Sequence, residues 1–437
     1  MKSRDTTAPG KLFTPARAGV LLIVGVLALA FNLRSAITSL PPVFPELQSA
    51  LHISAGSLAL LAAVPVLCFG VFSGSAAPLS RRFGEERVLF AALLLLAAGL
   101  LLRGVSPTLL LFPGTIVAGA AVALMNVLLP SLVKRRDPER AGLLIGLYLL
   151  MLATGAIIAS LLAVPVFNAA SGSGSGQVSA GSAAVRITLA LWAGPALAGA
   201  LIWVPQLRYR TLPEAVRRRG PGRPDGAGRP DGAGRPAGAL ALRRSALAWQ
   251  VTLFMGLQSL SYYATLSWFP TMFRDRGVSA AHAGVLLALM NLGNAVTALA
   301  LPMLAQRAPD QRRLAAGSMV ATAAGLAGAV YGPAGLAAWF MVLLGLGQGA
   351  SLGLGIFYTM ARAPDPVSAA SLSAFAQGIG YLIASAGPLT IGLLHEATGG
   401  WTVPGLVLLA VAGLQLLTGW LAGRALTVPA AGGLPSR

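Results

Sequence analysis

The sequence predicts an all-α membrane protein of twelve transmembrane helices arranged as two six-helix pseudo-repeats. Three observations predict it. Of 437 residues, 56% are hydrophobic and only 10% charged, against roughly a quarter charged in a soluble domain. Apolar runs recur along the chain at the ~20-residue length that crosses a hydrocarbon core. The basic residues gather between alternate runs.

In order, the runs cover 18–42, 57–79, 88–105, 108–132, 141–167, 185–205, 247–270, 281–305, 314–331, 335–361, 368–394 and 401–422. A chain in lipid must satisfy its own backbone hydrogen bonds, and these runs lack the period-2 alternation of barrel strands, so each reads as a helix. The first run follows Lys2, Arg4, Lys11 and Arg17 and contains Ala28-Leu29-Ala30, a passable signal-peptidase pattern. Its uninterrupted apolar continuation and the later spans favour an uncleaved helix. The organisation is a tail 1–17, a half 18–205, a linker 206–246, a half 247–422 and a tail 423–437.

With the N-terminus inside, 27 Lys and Arg fall on the cytoplasmic side and four outside (Arg103, Arg186, Arg274, Arg276). That bias places both termini in the cytoplasm, and the expected site is a bacterial inner membrane. The net charge of +19 therefore sets topology instead of recruiting nucleic acid. The linker carries the repeat RPDGAG from Arg223 and again from Arg229; its Gly, Pro and Arg suit a disordered tether. The connection 168–184, with a GSGSG core, reads as another flexible loop.

The halves repeat each other. A shift of 225 lays Phe44-Pro45 on Phe269-Pro270 and Ile53-Ser54-Ala55 on Val278-Ser279-Ala280. Ala77-Pro78-Leu79 followed by Arg81-Arg82 parallels Leu301-Pro302-Met303 followed by Arg307. Gly146 and Gly155 are spaced like Gly378 and Gly387. Matches in the same order argue for two parallel six-helix repeats.

Arg34 is the one ionisable residue clearly away from a helix end. Such a charge costs about 2.5–3.5 kcal/mol on insertion scales, so it ordinarily faces a wet cavity. With no mid-membrane carboxylate as partner, its planar fork suits a small anion or strongly polar solute; the alternative is an arginine that ties helices together. Other polar residues recur at helical spacing. The eleventh span has Ser373, Gln377, Tyr381 and Ser385; the tenth has Gln348, Ser351, Gly355 and Tyr358. The seventh has Gln258, Tyr262 and Thr265 with Tyr263 and Trp268 nearby, the eighth Asn291 and Asn294, and the fourth Asn126. Taken singly, an interhelical hydrogen bond explains each of these; their concentration in the second half favours a pocket opposite Arg34.

The remaining titratable candidates, Glu46, His395 and Glu396, read as interfacial residues with a weaker claim to proton coupling. There is no GxxxxGK[ST] loop, HExxH or GxSxG, and one cysteine, Cys68, supports no Cys-rich metal site. No enzymatic activity, metal or cofactor is expected. The expected partners are a small-molecule solute and membrane lipid, and the expected state is a monomer.

With these residues in view, the chain resembles the cyanate permease family (CynX/NimT type) of the major facilitator superfamily. The resemblance rests on NLRSAITSLPPVFPEL at 32–47, APLSRRFGEE at 77–86, GLQSLSYYATLSWFP at 256–270, APDQRRL at 308–314, GLGQGAS at 345–351, and LSAFAQGIGYLIASAGP to LHEATGGW at 372–401. It implies the major facilitator fold and secondary transport by alternating access: cyanate uptake in one branch, export of nitroimidazole-type compounds in another. Carried over by motif, Asn32, Arg34, Gln258, Tyr262, Gln348, Gln377 and Tyr381 are the implied substrate contacts. Asn126, Tyr263, Asn291 and Tyr358 are additional pocket candidates from the polar pattern. Ser80 stands where the family loop motif carries Asp, which puts charge-relay gating there in question.

Overall fold

All twelve expected spans are helical in the computed structural model, which describes residues 15–137, 139–172, 177–209 and 242–428. They are α1 (Pro15–Thr38), α2 (Ala55–Phe72, continued through a 3-10 turn into Ala76–Phe83), α3 (Glu85–Val105), α4 (Pro107–Arg136), α5 (Ala141–Ser171) and α6 (Gln177–Leu191 and Ala193–Trp203). The second half comprises α7 (Ala246–Asp275), α8 (Ala280–Arg307), α9 (Arg312–Tyr331), α10 (Ala337–Ala361), α11 (Pro366–Thr398) and α12 (Thr402–Ala422). A short helix, Phe44–Leu51, follows α1. Eleven of these segments are apolar and long enough to cross a bilayer. The exception, α7, is 30 residues long, carries Gln258, Ser259, Ser261, Tyr262, Tyr263 and Thr265 at its centre, and is buried there by its neighbours.

Two expected boundaries move. The loop expected at 168–184 is largely helical, because α5 runs to Ser171 and α6 starts at Gln177; only 173–176 lie outside the described residues. Of the linker 206–246, the first residues continue a 3-10 turn with Gln206 buried. Residues 210–241, including the RPDGAG repeat, lie outside the described residues.

The repeat reappears in space. Ser54 and Ser279, 225 apart, are both N-caps: Ser54 Oγ accepts from the Ser57 amide at 3.1 Å and Ser279 Oγ from the His282 amide at 3.3 Å, each satisfying a donor the helix start leaves open. Gly155 on α5 packs against the Phe31 carbonyl of α1, and Gly387 on α11 against the Leu260 carbonyl of α7. A Cβ at either position would strike backbone, which is why both are glycine.

Far from the charged loops the two halves meet through small residues. Gly392 of α11 lies against Ala59 of α2, and Gly284 of α8 against the Ser160 carbonyl of α5. These contacts are equivalent under the repeat, since Ala59 and Gly284 are 225 apart while Ser160 and Gly392 keep the 232 offset of Gly155 and Gly387. Phe44 packs edge-on to Trp268 with centroids 5.9 Å apart, and Glu46 accepts from Arg274 Nη1 at 2.7 Å. Toward the other end, where Arg81, Arg82, Lys134 and Arg307 lie, the halves separate. Gly146 on α5 and Gly378 on α11 have nothing packed against them, and Gln377 is exposed.

The basic end holds a matched pair of polar clusters. In the first half, Glu85 pairs with Arg135 and accepts from Ser131 Oγ at 3.1 Å, while Glu86 lies 3.6 Å from Arg136, whose guanidinium stacks 3.7 Å above the Tyr209 ring. In the second, Arg362 donates to Gln311 and to the carbonyls of Ala422 and Gly423. Glu86 and Gln311 are 225 apart. Ser80, at the position in question for charge relay, turns its hydroxyl back to the Ala77 carbonyl at 3.0 Å. The buried carboxylates near it are Glu85 and Glu86 instead.

Candidate functional site

Arg34 projects from α1 into a cavity at the centre of the bundle. The cavity, about 40 Å³, is lined by Arg34, by Leu149, Leu152, Ala153 and Ala156 of α5, by Asn291, Asn294, Ala295, Ala298 and Leu299 of α8, by Tyr262, and by Leu352 of α10. One water needs ~10–15 Å³ on the same scale, so the space fits a solute of a few atoms. Among the described residues no carboxylate pairs with Arg34.

Phenols take the place of a carboxylate. Arg34 Nη1 donates to the Tyr263 hydroxyl at 3.2 Å, and the guanidinium carbon lies 5.1 Å from the Tyr262 ring centre and 5.5 Å from that of Tyr263. Tyr148 and Tyr381 stand nearby. Each desolvated cation–π contact is worth about 0.5–2 kcal/mol, and a hydrogen bond from a charged donor about 1.5–3 kcal/mol. Together these are comparable to the insertion cost of a membrane arginine. These contacts let the site tolerate the charge, while the other guanidinium N–H groups keep no partner among the described residues and stay available to a ligand.

The rings are themselves held. Tyr262 donates to Asn291 Oδ1 at 2.8 Å, and Asn291 Nδ2 donates to the Leu287 carbonyl at 2.9 Å, so α8 fixes the face that Tyr262 turns to Arg34. Phe69 of α2 packs edge-on against both Tyr263 and Tyr381, with centroids 6.3 and 5.4 Å away. The result is a single cation in a neutral cavity, one wall aromatic and another carrying amides. Its free guanidinium N–H groups can donate to an anion or a strongly polar solute.

Several sequence candidates join this cavity and others do not. Arg34, Tyr262 and Asn291 line it, Tyr263 accepts from Arg34 beside it, and Tyr381 packs on Phe69 nearby. Asn32 turns the other way, donating to the carbonyls of Ala28 at 2.9 Å and Pro195 at 3.0 Å and tying α1 to α6. Gln258 and Gln348 link α7 to α10: Gln258 Nε2 donates to the Gln348 carbonyl at 3.3 Å, and Gln348 Nε2 to Thr265 Oγ1 at 3.2 Å and Ser261 Oγ at 3.4 Å. Tyr358 is buried beside Phe254 and Arg362 at the basic end. Gln377 is exposed and donates to Ser373 Oγ at 2.8 Å, and half-buried Asn126 does not line the cavity.

The three titratable candidates lie away from the site. Glu46 is held by Arg274, and His395 stacks on Trp401 at 3.9 Å with Nε2 3.9 Å from Asp275. Glu396 is exposed at the same end. Sequence reasoning missed Tyr148 and Phe69. Phe69 is itself apolar, and Tyr148 has no polar companion at helical spacing; the usable signal for Tyr148 was that tyrosine is scarce, seven in the chain, and four of the seven lie around Arg34.

Comparison with known proteins gives the family and the fold. The family model described as Major Facilitator Superfamily matches residues 22–388. The chain is 37% identical over 413 residues to the 2-nitroimidazole transporter of Escherichia coli (strain K12), covering 93% of this chain and 96% of that protein. It is 29% identical over 401 residues to the cyanate transport protein CynX of the same organism, covering 91% and 95%. Among solved structures it resembles a bacterial homolog of the human lysosomal transporter Spinster in an inward-facing, unoccupied conformation, with a TM-score of 0.68 at 18% identity and 94% of each chain covered.

Proposed function

The chain belongs to the Major Facilitator Superfamily, and from that premise we propose that it carries a small monovalent anion by alternating access around Arg34. It is an integral membrane transporter of small solutes; the substrate, the orientation and the cycle are the proposal. The observation that carries it is the lone guanidinium, without a carboxylate among the described residues, in a cavity of about 40 Å³. A triatomic anion of the cyanate kind fits that space, and the relative CynX is named for cyanate transport. A nitroimidazole, a ring bearing a nitro group, needs a wider site than this conformation provides. No catalytic step enters the cycle, and the carrier acts as a monomer.

The basic end is taken as cytoplasmic from the charge bias of the connections, in the inner membrane of a bacterium. The described conformation is then closed outside by Ala59–Gly392, Ser160–Gly284 and Glu46–Arg274 and open inside beside Gly146 and Gly378. Moving a free anion inward against a negative interior costs about 2.3 kcal/mol per 100 mV. Export runs downhill, whereas uptake requires exchange, a co-transported proton or entry in neutral form. No residue of the cavity is an acid with which to bind that proton.

Flux in proteoliposomes tests the reading. Cyanate flux is expected to saturate, to follow an imposed potential with the sign of an anion, and to vanish in Arg34→Gln and Arg34→Lys. Strong accumulation of a permanently neutral solute on a pH gradient alone, preserved in Arg34→Gln, overturns it. Preferred flux of 2-nitroimidazole over cyanate transfers the protein to the drug-export reading.

A further inference from the structure

Asn294 shares the Arg34 cavity, and its buried Nδ2 has no hydrogen-bond partner. Every other polar side chain that lines the space is already engaged: Tyr262 with Asn291, Asn291 with Leu287, Arg34 with Tyr263. Leaving that nitrogen buried without an acceptor is costly, so the retention of Asn294 between Asn291 and Thr297 on α8 calls for a reason. Its position is also rigidly set. Gly349 of α10 packs directly on the Asn294 carbonyl, and Gly293 and Gly345 bring the same two helices into backbone contact. Under the 225 shift Asn294 corresponds to Phe69, which packs on Tyr263 and Tyr381 at the aromatic wall. One repeat thus contributes an apolar ring at this position and the other an amide.

We propose that Asn294 is a substrate-binding residue, the second point of a clamp whose first point is Arg34. The inference rests on the reading of Arg34 as an anion anchor and adds to it. The clamp's substrate class is a small monovalent anion with acceptor atoms at two ends, such as cyanate, nitrite or formate, in preference to a spherical halide. The guanidinium takes one end. The Asn294 amide, turned about its last torsion so that the NH₂ faces the cavity, takes the other. Because Arg34 belongs to the first half and Asn294 to the second, a bound anion bridges them, and occupancy draws the two halves together. A carboxylate at position 294 would neutralise Arg34 and repel the anion, which fits an amide there.

The test measures flux and KM for cyanate, nitrite, formate and chloride with the full-length protein in liposomes, comparing wild type with Asn294→Ala, Asn294→Asp, Arg34→Gln and Asn291→Ala. Melting temperature in detergent checks folding. Asn294→Ala is expected to raise KM at least tenfold for the two-ended anions, with little change for chloride, and Asn294→Asp to abolish flux of all four. If Asn294→Ala misfolds, Asn294→Ser, which keeps a shorter donor, takes its place with a smaller rise expected. Unchanged KM for cyanate, nitrite and formate in a folded Asn294 variant, while Arg34→Gln loses flux, overturns the clamp and leaves the anion anchor standing. Failure of wild type to carry any of the four anions overturns both.

Discussion

Breaking the Glu46–Arg274 pair should shift the carrier toward the state open at the far end. The pair joins the short helix after α1 to the end of α7, at 2.7 Å, with side chains 16% and 23% exposed. It must separate whenever the halves part on that side. A charge-assisted hydrogen bond of this length is worth about 1.5–3 kcal/mol, and solvent at a partly exposed pair pulls the value toward the lower figure. Glu46→Gln keeps an acceptor oxygen and removes the charge, so about 1 kcal/mol of closure is lost, which changes the population ratio about fivefold. Glu46→Ala also strands Arg274 and should lose about 2 kcal/mol, or about thirtyfold.

The assay is thiol labelling with a membrane-impermeant reagent at Ser160→Cys in a Cys68→Ser background. Ser160 is 1% exposed at the Gly284 contact, and Cys68 is the only native thiol. Labelling from the far side should quicken about fivefold in Glu46→Gln, and the charge exchange Glu46→Arg with Arg274→Glu should restore the slow rate. An unchanged rate in Glu46→Gln, Glu46→Ala and Arg274→Gln alike refutes the reasoning.

Two further outcomes follow from the assignments. Gln348 Nε2 makes two long bonds and its Oε1 is buried without a partner, so Gln348→Leu should cost ~1 kcal/mol or less and leave KM unchanged; a small melting shift with a large rise in KM would return Gln348 to the site. At the start of α11, the Asp365 carboxylate accepts from the Ser368 hydroxyl at 2.6 Å and from the Val367 and Ser368 amides at 2.9 Å. The Ser368 hydroxyl bond, first among these, holds its carboxyl below the usual range. A depressed value means that the cap stabilises fully above the ordinary carboxylate pKa of ~3.9 and less as pH falls through the folded value. Asp365→Asn should therefore lower the melting temperature at neutral pH, and the gap to wild type should narrow on acidification; a gap that widens in acid contradicts the cap.

Hydropathy made the spans legible because the bilayer imposes one length and one backbone solution on every crossing. Even α7, whose polar centre lowers its hydropathy, was recoverable from the apolar residues flanking Gln258 and Tyr262. The repeat was legible because the helix starts at Ser54 and Ser279 carry the same cap chemistry. The break inside α6 and the shorter α5–α6 connection were not. GSGSG reads as a loop on composition, whereas the flanking residues extend helices already anchored by packing.

The site was only partly legible. Arg34 declared itself, since a charge in the middle of an apolar run has few uses in a membrane. Its neighbours did not, because helical spacing shows which residues share a face and leaves open which helix that face meets. Asn32, two residues from Arg34, points to α6; Gln348, in a conspicuous GLGQGAS string, closes the α7–α10 seam. Tyr148, with no polar companion, stands by the cation.

By itself, then, the sequence determined that this chain crosses the membrane twelve times as two related halves and sets one cation, Arg34, clearly away from a helix end; these are local or periodic properties, set by transfer energies residue by residue. Only the tertiary structure decided that Tyr262 and the Asn294 amide share the cavity with that cation while Tyr263 bonds it, and that the halves touch at one end and part at the other. Those are contacts between helices distant in sequence, and they depend on the rotation and register of each helix against its neighbours, which small residues such as Gly284, Gly349 and Gly392 set by allowing backbones to touch.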